Sequence, residues 1–114
     1  MTASTEHADQ RRKQRVTIPE HPQVFDAHSG APVGQLVNLS SEGLMIAGSE
    51  CIPCNTVCQM HIPLVIGGSK QVISVGAESL WCEDANGSGM YWTCFHIIDI
   101  SPEHQRLLDA IVEG

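Results

Sequence analysis

The chain reads as an all-β domain finished by one C-terminal helix. Three observations predict this. About six short apolar runs recur at intervals of roughly 8–12 residues, each bounded by turn formers. One run, VCQMHIPLV (57–65), alternates cleanly between apolar and polar positions. From Ser101 onward the pattern switches to a helical period. Together these describe a small antiparallel barrel or sandwich with an amphipathic helix packed on its side or mouth.

The elements follow in order. Residues 1–10, MTASTEHADQ, are polar and read as a flexible tail, leaving 11–114 as a single domain. Pro19 and Pro22 make the segment from Arg15 to Phe25 extended and not helical. HSGAPVG (28–34) reads as a turn, QLVNLS (35–40) as a strand, SEG as a turn and LMIAG (44–48) as the next strand. SECIPCN (49–55) is a loop. In 57–65, Cys58, Met60, Ile62 and Leu64 share one face, and Gln59 and His61 the other. IGGSK (66–70) is a hairpin turn. QVISVGAESLWCE (71–83) is a long strand with a bend at Gly76. After the turn DANGSG, MYWTCFHIID (90–99) is apolar on both faces and reads as a central strand. Trp81, Tyr91, Trp92 and Phe95 are expected in the core or as a barrel lid. Ser101 then suits an N-cap, Pro102 the first helical position and Glu103 the positive end of the dipole. Leu107, Leu108, Ile111 and Val112 form the buried stripe.

Charge narrows the function classes. The net charge is −7, which argues against general affinity for nucleic acid polymers or anionic membranes. Yet four of the six basic side chains fall in RRKQR (11–15). Any anion must therefore use a local site, and this stretch is its one candidate. No apolar run approaches the roughly 20 residues of a membrane span. The first ten residues contain no secretory apolar region, so a cytoplasmic location is expected. Five cysteines, an odd number, suit reduced thiols.

Two stretches carry the chemistry. Arg11 and Arg15 are four apart and share a face, so their guanidiniums can clamp a phosphate or the O6/N7 edge of a guanine. Arg12 and Lys13 add electrostatic support. Asn38 and Ser40 are two apart on a strand and are expected to point the same way, offering an amide and a hydroxyl. Gly43 is expected to give a tight turn with positive φ and close access to backbone.

RxxxR as Arg11…Arg15, followed by (D/N)xSxxG as Asn38-x-Ser40-x-x-Gly43, resembles the PilZ domain family of receptors for the bacterial second messenger cyclic di-GMP. The ending ESLWCEDANGSGMYWTCFHIIDISPEHQRLLDAIV is similar to that family too. The resemblance implies a six-stranded antiparallel β-barrel with a C-terminal α-helix. It implies ligand contacts from Arg11, Arg12, Arg15, Asn38, Ser40 and Gly43, no cofactor, and no catalysis. It also implies an N-terminal arm that closes over the ligand and relays the signal to a downstream protein partner, with the chain a monomer or weak homodimer. Two positions depart from the pattern. Gln10 stands where many members have another Arg, a position that bears on whether one ligand or an intercalated pair is bound. Cys94 stands where Gly is frequent, and reads as packing.

Other readings carry less. Cys51-x-x-Cys54-x-x-x-Cys58-x-x-His61 contains four potential zinc ligands, but the alternation of 57–65 puts Cys58 and His61 on opposite faces. Cys58, Cys82 and Cys94 read as small buried hydrophobes, whereas Cys51 and Cys54 lie in a loop open to oxidation. GGSK lacks the phosphate-loop pattern, and no catalytic triad or carboxylate pair suggests itself. The main alternative is a PilZ-like adaptor that binds protein without the nucleotide, with RRKQR on an acidic partner.

Overall fold

The computed structural model describes residues 15–113. The tail at 1–10 and the candidate residues Arg11 and Arg12 lie outside the described residues. Seven strands and one helix follow in order: β1 (Val16–Thr17), β2 (Gln23–Asp26), β3 (Pro32–Leu39), β4 (Gly43–Gly48), β5 (Val57–Ile66), β6 (Ser69–Asp84), β7 (Tyr91–Ile100) and α1 (Pro102–Glu113). Six of the strands run β3-β2-β5-β6-β7-β4, all antiparallel, and β4 returns to pair with β3. The sheet is thus a closed six-stranded barrel with no free edge at that seam. The two-residue β1 adds to the far end of β3, placing Val16 opposite Leu39 and Thr17 opposite Asn38.

Alternation fills the interior. Met60, Ile62 and Leu64 of β5 point inward, as do Leu44 and Ile46 of β4, Ile73, Val75 and Ala77 of β6, and Phe95 of β7. Gln59 and His61 are exposed on the outside, as the alternation requires. The β5–β6 turn uses Gly67 and Gly68, both at positive φ (58° and 84°), as a two-residue hairpin of this hand demands. At Gly76 the register with β7 shifts, which is the expected bend.

The helix closes the barrel. Ser101 Oγ accepts the His104 N–H at 3.2 Å, so the cap forms as its residue type predicts. Leu108 and Val112 bury one stripe in the core. Two polar contacts fix the helix in place. The Ser74 N–H donates to His104 Nδ1 at 3.1 Å, and Gln105 Nε2 donates to the Ser41 carbonyl at 3.2 Å.

Three local expectations are corrected. β3 begins at Pro32, inside the stretch read as a turn, because Pro is tolerated at the first position of a strand and Gly34 continues it against β2. Trp81 and Trp92 are not core: they are 40% and 36% exposed. A second register shift between Ser79 and Trp81 pushes Leu80 out and places Trp81 on the outer face, opposite Cys94. Trp92 shares that outer side of β7 with Cys94 and His96 by alternation.

The turn after β2 is built on Asp26. Its Oδ1 accepts the N–H groups of His28 (2.8 Å) and Ser29 (3.0 Å). The backbone donors of Ser29 and then His28 hold this carboxyl below its ordinary value of 3.8. A lowered folded-state pKa stabilises the protein above the unfolded value, and the effect is lost as pH falls through the folded one. Asp26→Ala therefore lowers the unfolding temperature at neutral pH. In melts recorded at successively lower pH, the gap to wild type closes as the pH drops beneath 3.8.

Candidate functional site

The turn that joins β3 to β4 is knit together by Ser40. Its Oγ accepts the N–H of Gly43 at 3.0 Å and that of Glu42 at 3.3 Å, and donates to the Gly43 carbonyl at 3.2 Å. The Ser40 N–H donates to the same carbonyl at 2.8 Å. Ser40 is buried, at 3% exposure. It lies one residue past the end of β3, so it does not share Asn38's outward direction as a regular strand would require. Its hydroxyl is folded into the turn.

Gly43 is needed for space. It does not fall in the left-handed region, contrary to the sequence expectation. A Cβ there would lie 2.4 Å from the carbonyl oxygen of Phe95, a backbone atom that cannot swing aside. The pairing of Gly43 with His96 brings β4 this close to β7. The Ile97 N–H then donates to the Glu42 carbonyl at 2.8 Å and ties the turn down from the other side.

Above the turn lies an outer row. Asn38 pairs with Met45, Met45 with Cys94, and Cys94 with Trp81, so the four side chains stand side by side across β3, β4, β7 and β6. Asn38 is brought into this row by a bulge between Leu36 and Asn38, which also lets both Leu36 and Leu39 stay buried. Arg15 lies across the row. Its Nη1 donates to Asn38 Oδ1 at 2.8 Å and its Nη2 to Cys94 Sγ at 3.5 Å. Asn38 Nδ2 in turn faces the Met45 sulfur at 3.8 Å. Both partners of Arg15 are neutral, so neither compensates its charge.

Arg15, Ser40, Glu42, Gly43, Leu80 and His96 line a cleft of about 410 Å³ on this face. The structure therefore brings Arg15, Asn38, Ser40 and Gly43 together, although 23 positions separate Arg15 from Asn38. Leu80, Trp81, Met45, Cys94 and His96 were not singled out from sequence as site residues. Cys94 is buried as expected, but on the outside of the barrel beneath Arg15. Among the described residues no cluster of His, Cys, Asp or Glu could hold a metal ion.

Two substitutions separate scaffold from surface. Gly43→Ala lowers unfolding free energy by about 1–3 kcal/mol in urea denaturation, through overpacking against Phe95. Ser40→Ala costs a similar amount, about 1–3 kcal/mol, because three turn bonds lose their shared partner. Asn38→Ala, whose side chain bonds Arg15 and Met45 on the outer face, leaves stability within about 1 kcal/mol of wild type.

The sequence profile of the PilZ domain matches residues 9–114. No curated protein sequence matches the chain. Among solved structures, the inhibitor of motility MotI/DgrA from Bacillus subtilis superposes with a TM-score of 0.74 at 14% identity. That likeness covers 90% of this chain and 49% of the other, so the chain spans about half the length of the Bacillus protein. The PilZ domain of YcgR from Escherichia coli, solved with c-di-GMP, superposes at 0.64 and 18% identity, covering 91% of this chain and 89% of that one. At these identities the likeness is one of fold. The profile match takes in both motifs and the helix, and on it the chain belongs to the PilZ domain family.

Proposed function

We propose that this domain is a receptor for cyclic di-GMP that binds the nucleotide on the outer barrel face over β3, β4 and β7. The observation that carries this reading is the 2.8 Å bond from Arg15 to Asn38, which joins the two halves of the motif into one site. Arg15 and Asn38 satisfy each other in the ligand-free protein. A bound nucleotide replaces that bond on both sides. The guanidinium turns to a phosphate or to the O6/N7 edge of a guanine, where it can bond bidentately. The Asn38 amide is then free to donate to and accept from a base edge. Ser40 and Gly43 serve by holding the turn close beneath the ligand. Arg11 and Arg12, on the segment preceding Arg15, complete the clamp on the phosphates. The indole of Trp81, at the end of the same outer row, offers an apolar flank for a purine.

The signal passes when Arg15 leaves Asn38 and the arm that carries it is drawn onto the ligand. The ligand favours this state because its contacts exist only there. The rearranged arm and barrel face then engage a downstream protein. No catalytic step is assigned to the chain. A cytoplasmic setting suits its ligand, and among the described residues no helix is long and apolar enough to cross a membrane.

A second reading has its own support. Leu80, Trp81, Trp92 and Ile98 expose apolar surface along β6 and β7, as a docking face for protein would. In that case the domain is an adaptor whose partner binding ignores the nucleotide.

Calorimetric titration with cyclic di-GMP distinguishes the two. The receptor reading expects saturable heat, lost at least tenfold in affinity by Arg15→Ala and by Asn38→Ala, each of which removes a charge-assisted or amide contact of about 1.5–3 kcal/mol. At about 100 times the dissociation constant, the ligand stabilises the fold by about 2.7 kcal/mol. A melting curve unmoved by such an excess would leave the adaptor reading. A log–log salt slope of about 1–2 is expected for a ligand with two phosphates, far below that of a nucleic-acid binder.

A further inference from the structure

The cleft that Arg15 lines carries a charge that an anion site does not call for. Glu42 lines it as well. His96, which faces Gly43 across the β4–β7 pairing, is the third side chain there able to bear charge, while Ser40 and Leu80 are neutral. A carboxylate in a cleft that admits two phosphates opposes binding, unless it meets hydrogen-bond donors of the ligand.

The fold does not require an acid at this position. The Glu42 N–H donates to Ser40 Oγ at 3.3 Å, and its carbonyl accepts the Ile97 N–H at 2.8 Å. Both are backbone groups, which every residue but proline supplies. The side chain is exposed, so it fills no space in the core. What the Glu42 side chain adds to the turn is therefore its two carboxylate oxygens, which only accept.

Cyclic di-GMP has one feature that matches such a group. Its phosphates offer acceptors alone, but each guanine carries N1–H and N2–H side by side on its Watson–Crick edge. The O6 and N7 acceptors lie on another edge, so a guanidinium and a carboxylate can hold one ring without competing for an atom. We infer that Glu42 is the residue that selects guanine, accepting N1–H and N2–H from one base of the ligand. This inference rests on the receptor reading. Adenine would turn its N1 acceptor toward the same carboxylate and be repelled, so the discrimination is built from repulsion as well as attraction. Exposed Leu80 supplies an apolar wall for the ring, and Arg15 balances the charge of the carboxylate. The repulsion between Glu42 and the phosphates also fixes how the ligand lies, with a base and not a phosphate toward this side chain.

The test titrates the full chain and its Glu42→Gln variant with cyclic di-GMP and with cyclic di-IMP, which keeps O6, N7 and N1–H but lacks the N2 amino group. Wild type is expected to bind cyclic di-IMP at least tenfold more weakly than cyclic di-GMP, as the loss of a charge-assisted bond requires. In Glu42→Gln the affinity for cyclic di-GMP falls at least tenfold, although the variant removes a negative charge. The penalty for cyclic di-IMP then shrinks at least fivefold relative to wild type. That penalty is a ratio taken on one folded sample, so a change in the amount of folded protein cannot imitate it. Equal penalties in the two proteins, or a variant that binds cyclic di-GMP as well as wild type or better, would overturn the role of Glu42 and leave the receptor reading standing. Wild type that gives no heat with cyclic di-GMP would overturn both.

Discussion

The four residues after β3 carry the closure of the barrel. β4 must turn back on β3 and at the same time lie against β7, and both are possible only if Gly43 passes the Phe95 carbonyl without a side chain. Ser40 holds the turn in that shape, Glu42 anchors it to Ile97, and Gln105 of the helix reaches across to Ser41. Strand pairing, barrel closure and helix docking therefore meet in one short segment. The same segment floors the cleft beneath Arg15. The Ser and Gly of the motif are thus structural requirements first. They shape a surface on which Arg15 and Asn38 are displayed.

That division explains which parts of the site were legible in the sequence. The strand at 57–65 announces itself by strict alternation, the bend at Gly76 by a glycine inside an apolar run, and the helix start by Ser101 and Pro102. These are local signals, and the structure bears them out. The bulges are harder to read. Neither the one between Leu36 and Asn38 nor the one between Ser79 and Trp81 has a glycine or proline to mark it. Each shifts the alternation by one residue, and so reverses which side chains face out. This is why Trp81 reads as core, whereas Trp92 faces out by the plain alternation of β7. It also hides the fact that Asn38 and Ser40 serve differently.

Long-range contacts are illegible for another reason. Nothing in the local pattern says that Arg15 meets Asn38. That contact is suggested only by a resemblance of motifs. The connector between β4 and β5 is equally silent about its place: Ser79, a buried hydroxyl, bonds Thr56 and Pro53 and so ties to β6 residues that the chain order keeps apart.

If the domain is the receptor proposed above, the bond between Arg15 and Asn38 has a consequence for sensitivity. A site whose own residues pair when empty charges every incoming ligand the free energy of undoing that pair. The apparent affinity is the intrinsic one diluted by the fraction of molecules in which the pair is open. Met45 and Cys94 would adjust that fraction, since each touches one member of the pair. Variation at these two outer positions would shift the concentration at which the domain responds while leaving the ligand's own contacts intact. Detection threshold and recognition would then be set by different residues of the same small surface.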